Sequence, residues 1–214
     1  MTREFTGLRP ERIRENLDRI LDQIARAGRD PHDVEVLAAT KYVSIDELPA
    51  LAEGGITLVG ENRAQDLIAK HERHAGDFTW DFIGALQSRK VKEVAPHVRL
   101  IHSLASESAM RQLEKHPVGE VLIEVNLAGE ESKAGIEPDD LPHYIETCPV
   151  PVTGLMCMPP FVTDPEENRP YFARLAELAA EHGLKRLSMG TSQDYVVAVR
   201  EGATIVRLGS VLYE

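Results

Sequence analysis

The chain has 214 residues, enough for one domain with a large hydrophobic core or for at most two small domains. Hydrophobic residues make up 43% and charged residues 28%, a composition typical of soluble globular proteins. The net charge of −11 argues against a nucleic-acid partner, and no apolar run approaches the length of a membrane span. Two cysteines outside any C-x-x-C pattern, and an N-terminal segment too charged for a secretory signal, favour a cytoplasmic location.

The first predicted element is an amphipathic helix over residues 10–28, in which apolar side chains recur at helical spacing and Gly28 supplies a C-terminal stop. Eight short apolar runs follow, with amphipathic stretches between them. The runs cover residues 34–40, 56–62, 79–85, 99–105, 120–127, 151–159, 185–192 and 204–210. Few polar residues occur before the ends of these runs, which is typical of strands buried on both faces of a parallel sheet.

Eight alternations of strand and helix predict an α/β fold, a single (β/α)8 barrel of the TIM type. An open doubly wound sheet is the competing architecture. The chain ends at Glu214, directly after the eighth strand, so no eighth helix is expected there, and the extra N-terminal helix is expected to fill that place in the outer ring. No linker divides the sequence, and we expect one domain over residues 1–214.

A lysine, Lys41, follows the first predicted strand, at the end of the barrel where the chemistry of this architecture collects. Such a lysine can keep its ammonium group in water while its stem packs below. It can also be a nucleophilic amine that forms an imine with an aldehyde. Both interpretations stay open for Lys41 taken alone.

Two segments of small and hydroxyl-bearing residues end the last two predicted strands, at residues 190–192 and 207–210. Glycine lets the backbone approach a ligand, and the hydroxyls of Ser192 and Ser210 add donors for an anion. The loops after strands seven and eight form a recurrent phosphate site in (β/α)8 barrels. Because strand eight is adjacent to strand one in a closed barrel, these segments and Lys41 predict one pocket that offers an amine to an aldehyde and donors to a phosphate.

Six sequence blocks in a fixed order resemble the pyridoxal phosphate homeostasis protein family. They are LAATKYVS (37–44), GENRAQDL (60–67), WDFIGALQSRKVK (80–92), VNLAGEESKAGI (125–136), GLMCMPP (154–160) and LSMGTSQD (187–194), the last followed by VRLGS (206–210). The resemblance covers nearly the whole chain. It implies a single barrel related to the N-terminal domain of alanine racemase, with pyridoxal 5′-phosphate joined to Lys41 as an imine, the internal aldimine.

The resemblance also implies roles for five further residues. Arg207 would lie near the pyridine nitrogen of the cofactor, and Asn62 would line the pocket of the ring. Ser192, Gly209 and Ser210 would hold the phosphate. Because arginine stays protonated, Arg207 would donate to a neutral ring nitrogen and weaken the ring as an electron sink.

Three positions depart from the family pattern. This chain has Asp81 where the family usually has histidine, Thr191 where methionine is common, and Arg63 where an aromatic residue is frequent. None of these changes removes Lys41 or the phosphate donors. No functional role is carried over to Asp81 or Arg63.

The implied function is non-catalytic: a monomeric binder that stores or buffers pyridoxal phosphate in the cell, or delivers it to apo enzymes that depend on this vitamin B6 cofactor. The alternative is a pyridoxal-phosphate-dependent amino-acid racemase, which needs a base on each face of the substrate. Lys41 could be one base, and Tyr42, Tyr195 and Tyr213 are candidates for the other, although packing is their simpler role. A third hypothesis is a phosphate-sugar enzyme in which Lys41 forms an imine with a keto substrate.

His71 and His74 lie three residues apart on a predicted helix, a spacing that suits a metal, but no third ligand is evident and we expect no metal site. Lys70 and its charged neighbours predict that this helix face is exposed. The basic residues within 88–92 predict a solvated helix face, with an anionic ligand as the alternative. Lys133 is expected in a surface loop.

Overall fold

In the computed structural model, which describes residues 4–129 and 134–214, eight parallel strands close into a barrel in chain order. The strands are β1 Glu35–Ala39, β2 Leu58–Glu61, β3 Thr79–Phe82, β4 Leu100–Leu104, β5 Glu120–Glu124, β6 Val152–Met156, β7 Arg186–Thr191 and β8 Ile205–Leu208. Strand β8 pairs with β1, with Leu37 opposite Arg207, and this pairing closes the barrel. The predicted (β/α)8 barrel is therefore confirmed and the open sheet is excluded. Lys133 lies outside the described residues.

Helices surround the barrel. They are α1 Pro10–Arg26, α2 Leu48–Glu53, α3 Ala64–His74, α4 Val91–Val94, α5 Glu107–Leu113, α6 Leu141–Thr147, α7 Arg169–Glu181, α8 Tyr195–Arg200 and α9 Ser210–Tyr213. A large cluster of apolar side chains fills the space between helices and strands, and a smaller cluster packs inside the barrel. Within the two described ranges, no helix has both the length and the apolar character that a membrane crossing requires.

The N-terminal helix α1 takes the place predicted for it. It begins at Pro10, where a missing N–H costs nothing, and its buried face includes Ile13, Ile20 and Ile24. Helix α1 packs against α2 on one side and against α8 and α9 on the other, so it completes the outer ring.

The expectation that no helix follows strand eight is wrong. A single helical turn, α9, follows β8, and its Leu212 and Tyr213 are buried. The side-chain amide of Asn16 donates to the carbonyls of Leu212 at 2.9 Å and Glu214 at 3.0 Å. Long-range capping by α1 therefore satisfies carbonyl groups that so short a helix leaves unpaired.

Candidate cofactor-binding site

A cavity of about 470 Å³ opens at the carboxyl ends of β1, β2, β7 and β8. All six residues predicted from the sequence line it: Lys41, Asn62, Ser192, Arg207, Gly209 and Ser210. The remaining lining residues are Phe5, Ala39, Tyr42, Ile83, Met158, Phe161, Thr191 and Gln193. The fold thus brings the predicted amine and the predicted phosphate donors to one cavity.

Lys41 lies in a turn two residues beyond the end of β1, and its side chain is exposed. Its Nζ is 5.0 Å from the centroid of the Tyr42 ring, a distance typical of a cation–π contact. The N–H of Thr40 donates to the carbonyl of Gly60 at 3.0 Å, and the N–H of Val43 donates back to the carbonyl of Thr40 at 2.9 Å. These backbone bonds fix the turn at the mouth of the cavity.

A buried ion pair lies beneath this turn. The Nζ of Lys70 donates to the Glu61 carboxylate at 2.5 Å and to the Thr40 carbonyl at 2.8 Å. The Thr40 hydroxyl donates to the same carboxylate at 2.7 Å. The Glu61 side chain is fully buried and that of Lys70 is 7% exposed. The expectation of an exposed Lys70 is therefore wrong, because a buried carboxylate at the end of β2 requires a cation.

Glycine is required at the end of β7, where Gly190 has φ +90°. A Cβ at this position would lie 2.7 Å from the Cβ of Ala198 in helix α8. Just beyond it, the Asp194 carboxylate accepts from the Thr191 N–H at 2.7 Å and from the Thr191 hydroxyl at 3.0 Å. The turn after β7 therefore has a tightly defined conformation.

The loops after β7 and β8 are joined by one hydrogen bond, in which the N–H of Gly209 donates to the Ser192 hydroxyl at 2.9 Å. In the described ranges, the N–H groups of Ser192 and Gln193 have no hydrogen-bond partner. Ser210 lines the same wall of the cavity. Two hydroxyls and two unpaired backbone N–H groups therefore collect at this wall, a donor set suited to an anion.

Arg207 is a buried cation at the cavity, only 4% exposed. Its guanidinium donates to the Ser188 carbonyl at 2.6 Å, to the Ser188 hydroxyl at 2.7 Å and to the Cys157 carbonyl at 2.9 Å. Among the described residues, no carboxylate lies within ion-pair distance of it. Burial lowers the pKa of Arg207, but an arginine still carries its proton at neutral pH.

Behind Arg207, polar residues of β3, β4 and β7 meet inside the barrel. The Ser188 hydroxyl lies 2.8 Å from Nδ1 of His102, and Nε2 of His102 lies 3.1 Å from the Asp81 carboxylate. Arg99 donates to Asp81 at 2.7 and 3.1 Å and to Glu35 at 2.5 Å. Burial lowers the pKa of His102, so its imidazole is neutral. Burial alone would raise the pKa of Asp81, but hydrogen bonds from His102 and Arg99 lower it overall.

Sequence reasoning missed this cluster and the ion pair of Lys70. The available signal was a polar residue inside an apolar strand: Asp81 in β3, His102 in β4 and Ser188 in β7. Asp81, one of the departures from the family pattern, is not a lining residue of the cavity. Phe161, 89% exposed at the mouth of the cavity, was also missed.

The tyrosines proposed as second bases lie in different places. The Tyr213 hydroxyl donates to the Ala39 carbonyl at 3.1 Å, and the Tyr195 hydroxyl donates to the Gln23 side chain. Burial raises the pKa of both phenols. Tyr42 alone of the three lines the cavity, and it lies beside Lys41.

The remaining polar clusters lie outside the cavity. In residues 4–129 and 134–214, no group of three or more histidine, cysteine, aspartate or glutamate side chains could hold a metal ion. His71 pairs with His97, Nδ1 to Nδ1 at 3.3 Å, while His74 pairs with Asp77 at 2.9 Å. In the basic cluster of residues 88–92, Arg89 and Lys92 are exposed, as expected for a solvated helix face.

No protein-family model matches the chain. The chain is 42% identical over 219 residues to the pyridoxal phosphate homeostasis protein of Aquifex aeolicus, with 95% of this chain and 96% of that protein covered. The chain belongs to the pyridoxal phosphate homeostasis protein family. The family member of Pseudomonas aeruginosa is 35% identical, with 95% and 94% covered, and the resemblance found in the sequence is confirmed.

Solved structures agree with this assignment. PipY of Synechococcus elongatus PCC7942, solved with pyridoxal phosphate bound, has a TM-score of 0.80 at 30% identity, covering 94% of this chain and 100% of its own. An unknown protein from Bifidobacterium adolescentis has a TM-score of 0.85 at 30% identity, covering 99% and 98%. A lysine/ornithine decarboxylase from Vibrio vulnificus, at 13% identity and a TM-score of 0.70, shares the barrel fold with this pyridoxal phosphate homeostasis protein family member.

Proposed function

We propose that the chain binds pyridoxal 5′-phosphate in the cavity at the carboxyl ends of the strands, with Lys41 holding the aldehyde as an imine. The supporting observation is that Lys41 lines the same cavity as Ser192, Gly209 and Ser210. A volume of about 470 Å³ lies in the range of small-molecule sites. PipY, a relative in fold and sequence, was solved with this cofactor. The proposal treats residues 1–214 as one cofactor-binding domain.

The polar groups of the cavity fit the two ends of this ligand. A phosphate needs several donors, and Ser192 and Gln193, whose N–H groups are unpaired in the described ranges, line the same cavity as Ser210. The amide oxygen of Asn62 is buried with no hydrogen-bond partner in the described ranges, so it is free to accept from a hydroxyl of the pyridine ring. Arg207 would donate to the ring nitrogen and keep the ring a weak electron sink.

The proposed role is intracellular homeostasis of the cofactor. In this role the protein acts as a monomer and catalyses no reaction. An imine forms reversibly, so the protein can sequester an aldehyde that reacts with cellular amines and release it again. Phosphate contacts supply affinity, and the imine selects the aldehyde form. A racemase would need a base across the ligand from Lys41, and Tyr42, the one cavity tyrosine, lies adjacent to Lys41. This placement favours a binder over a racemase.

Absorption spectroscopy tests the binding proposal. The protein mixed with pyridoxal phosphate should absorb in the visible range and lose that absorbance on borohydride reduction. Lys41→Ala should abolish the covalent adduct and leave weak, phosphate-dependent binding. Lys185→Ala, which replaces an exposed lysine just before β7, is the matched control and should label normally. A Lys41→Ala adduct of undiminished stoichiometry would show that another lysine is the nucleophile.

A separate assay tests the absence of catalysis. The loaded protein is incubated with L-alanine and other L-amino acids, and D-enantiomers are measured by chiral chromatography. Turnover of about 1 per second or faster would replace the binder proposal with the racemase. A protein that stays colourless and unmodified with added cofactor would instead favour the phosphate-sugar enzyme.

Delivery is tested with an apo enzyme that depends on pyridoxal phosphate. The loaded protein should restore its activity in the presence of a scavenger that removes free cofactor. Restoration no faster than from free cofactor under the same scavenger would limit the role to storage and buffering.

A further inference from the structure

A continuous chain of hydrogen bonds runs from the cavity to the opposite end of the barrel. Arg207 of β8 contacts the Ser188 hydroxyl of β7 at 2.7 Å, and that hydroxyl contacts His102 of β4 at 2.8 Å. His102 contacts Asp81 of β3 at 3.1 Å, and Asp81 receives two hydrogen bonds from Arg99. Two pairs of neighbouring strands, β3–β4 and β7–β8, which are distant from each other in sequence, therefore contribute to one chain of hydrogen bonds.

This chain of hydrogen bonds is sealed from water over most of its length. Ser188, His102 and Asp81 are completely buried, and Arg207 is 4% exposed. Arg99, just before β4, is partly exposed at the amino-terminal end of the barrel. The hydrogen-bond chain thus has one end in the cavity and one at the opposite surface. Every polar group between these ends must find its partners inside the barrel.

Chemistry fixes the direction of these hydrogen bonds. A guanidinium only donates, so the Ser188 oxygen accepts from Arg207. An ionised carboxylate only accepts, so a neutral His102 must direct its hydrogen towards Asp81 and accept at Nδ1 from the Ser188 hydroxyl. His102 then carries its hydrogen on Nε2 and donates it to the Asp81 carboxylate. An imidazolium would add a third positive charge beside Arg207 and Arg99, and burial together with these two cations lowers the pKa of His102. The neutral Nε2–H form satisfies every member of the chain.

We propose that Ser188, His102 and Asp81 are positioning residues that hold the Arg207 guanidinium in a fixed orientation at the cavity. The inference rests on the proposed function, since Arg207 acts on a ligand only when the cofactor occupies the cavity. A guanidinium has five N–H donors, and its close contacts to oxygen are those with Ser188 and Cys157, so donors remain for a ring nitrogen. An arginine held in place before binding loses little side-chain entropy when the ligand arrives.

Ser188→Ala removes the link between Arg207 and His102. The dissociation constant for pyridoxal phosphate should rise on the order of tenfold, the effect of one hydrogen bond to a charged group. The absorption maximum of the bound cofactor should also shift, because the donor at the ring is reoriented. Ser188→Thr, which keeps the hydroxyl, should restore both values towards those of the wild type.

Thr204→Val is the matched control. The Thr204 hydroxyl accepts from the N–H of Leu187, the residue before Ser188, at 2.8 Å. Thr204 directly precedes β8, at the end of that strand remote from the cavity. This variant also loses one hydroxyl that bonds to β7, and it should keep the wild-type affinity and absorption maximum. If the wild type binds the cofactor but Ser188→Ala and Thr204→Val have the same dissociation constant and the same absorption maximum, the positioning role is overturned.

Nuclear magnetic resonance of the imidazole nitrogens tests this chain of hydrogen bonds without any substitution. In the ligand-free protein at neutral pH, His102 should be neutral, with hydrogen on Nε2 and an acceptor at Nδ1. Hydrogen on Nδ1 overturns the inference, whatever the cofactor does. Conversely, a wild-type protein that shows the Nε2–H form but binds no pyridoxal phosphate would overturn the proposed function and the ligand role of Arg207 with it.

Discussion

Replacing Lys70 with methionine tests the buried ion pair beneath the Lys41 turn. Methionine is similar in length to lysine but cannot donate, so the Glu61 carboxylate and the Thr40 carbonyl both lose the contacts made by Nζ at 2.5 and 2.8 Å. The carboxylate would stay buried without its cation. The turn that carries Lys41 would lose the side chain that fixes it from below.

The expected loss of stability follows from the contacts that remain. Removing one partner of a buried ion pair costs about 3–5 kcal/mol. Glu61 keeps the hydroxyl of Thr40 at 2.7 Å and the N–H of Asn62 at 3.3 Å, so the low end applies, about 3 kcal/mol. For a chain of this size, a loss of that magnitude lowers Tm by about 9 °C.

Urea titration and calorimetry at neutral pH measure this loss. Lys185→Met replaces an exposed lysine on the opposite side of the barrel. Its free energy of unfolding should lie within about 0.5 kcal/mol of that of the wild type. Adding Glu61→Gln to Lys70→Met should recover part of the loss, because no buried charge is then left unpaired. A Lys70→Met variant as stable as Lys185→Met would refute the interpretation of the pair.

Gly190→Ala should lower the free energy of unfolding by about 2 kcal/mol in a denaturant titration, because φ is +90° and the new Cβ would lie 2.7 Å from that of Ala198; an unchanged midpoint would contradict this. Burial raises the pKa of the Cys157 thiol to about 12, so peptide mapping after alkylation of the folded protein should find any label on Cys148 and none on Cys157. Burial lowers the pKa of His102 below its ordinary 6.5, so the unfolded chain binds a proton there that the folded chain does not. The stability advantage of the wild type over His102→Asn should therefore shrink by about 1.4 kcal/mol per pH unit below 6.5 in urea titrations, and a constant advantage would refute the neutral assignment.

The barrel and the rim of the site were predictable because both depend on local patterns. Short apolar runs mark the strands, and parallel strands bring their carboxyl ends to one edge. Lys41, Ser192 and Ser210 could therefore be placed together from their positions at strand ends. The pairing of β8 with β1, which closes the barrel, is what makes those ends neighbours.

The interior of the barrel was not predictable, because its polar contacts join residues far apart in the chain. Ser188 and His102 are separated by 86 positions. Lys70 stands among charged residues on α3, and its local pattern gives no sign of the buried Glu61 it contacts. Such partners follow from the register and closure of the barrel, which hydrophobic periodicity does not encode.

A crystal structure of the protein grown with pyridoxal 5′-phosphate would show directly whether Lys41 binds the cofactor. We expect continuous electron density between Nζ of Lys41 and the former aldehyde carbon, with the phosphate within hydrogen-bond distance of Ser192 and Ser210. Density that joins the cofactor to another lysine, or a phosphate bound away from these two serines, would contradict this expectation.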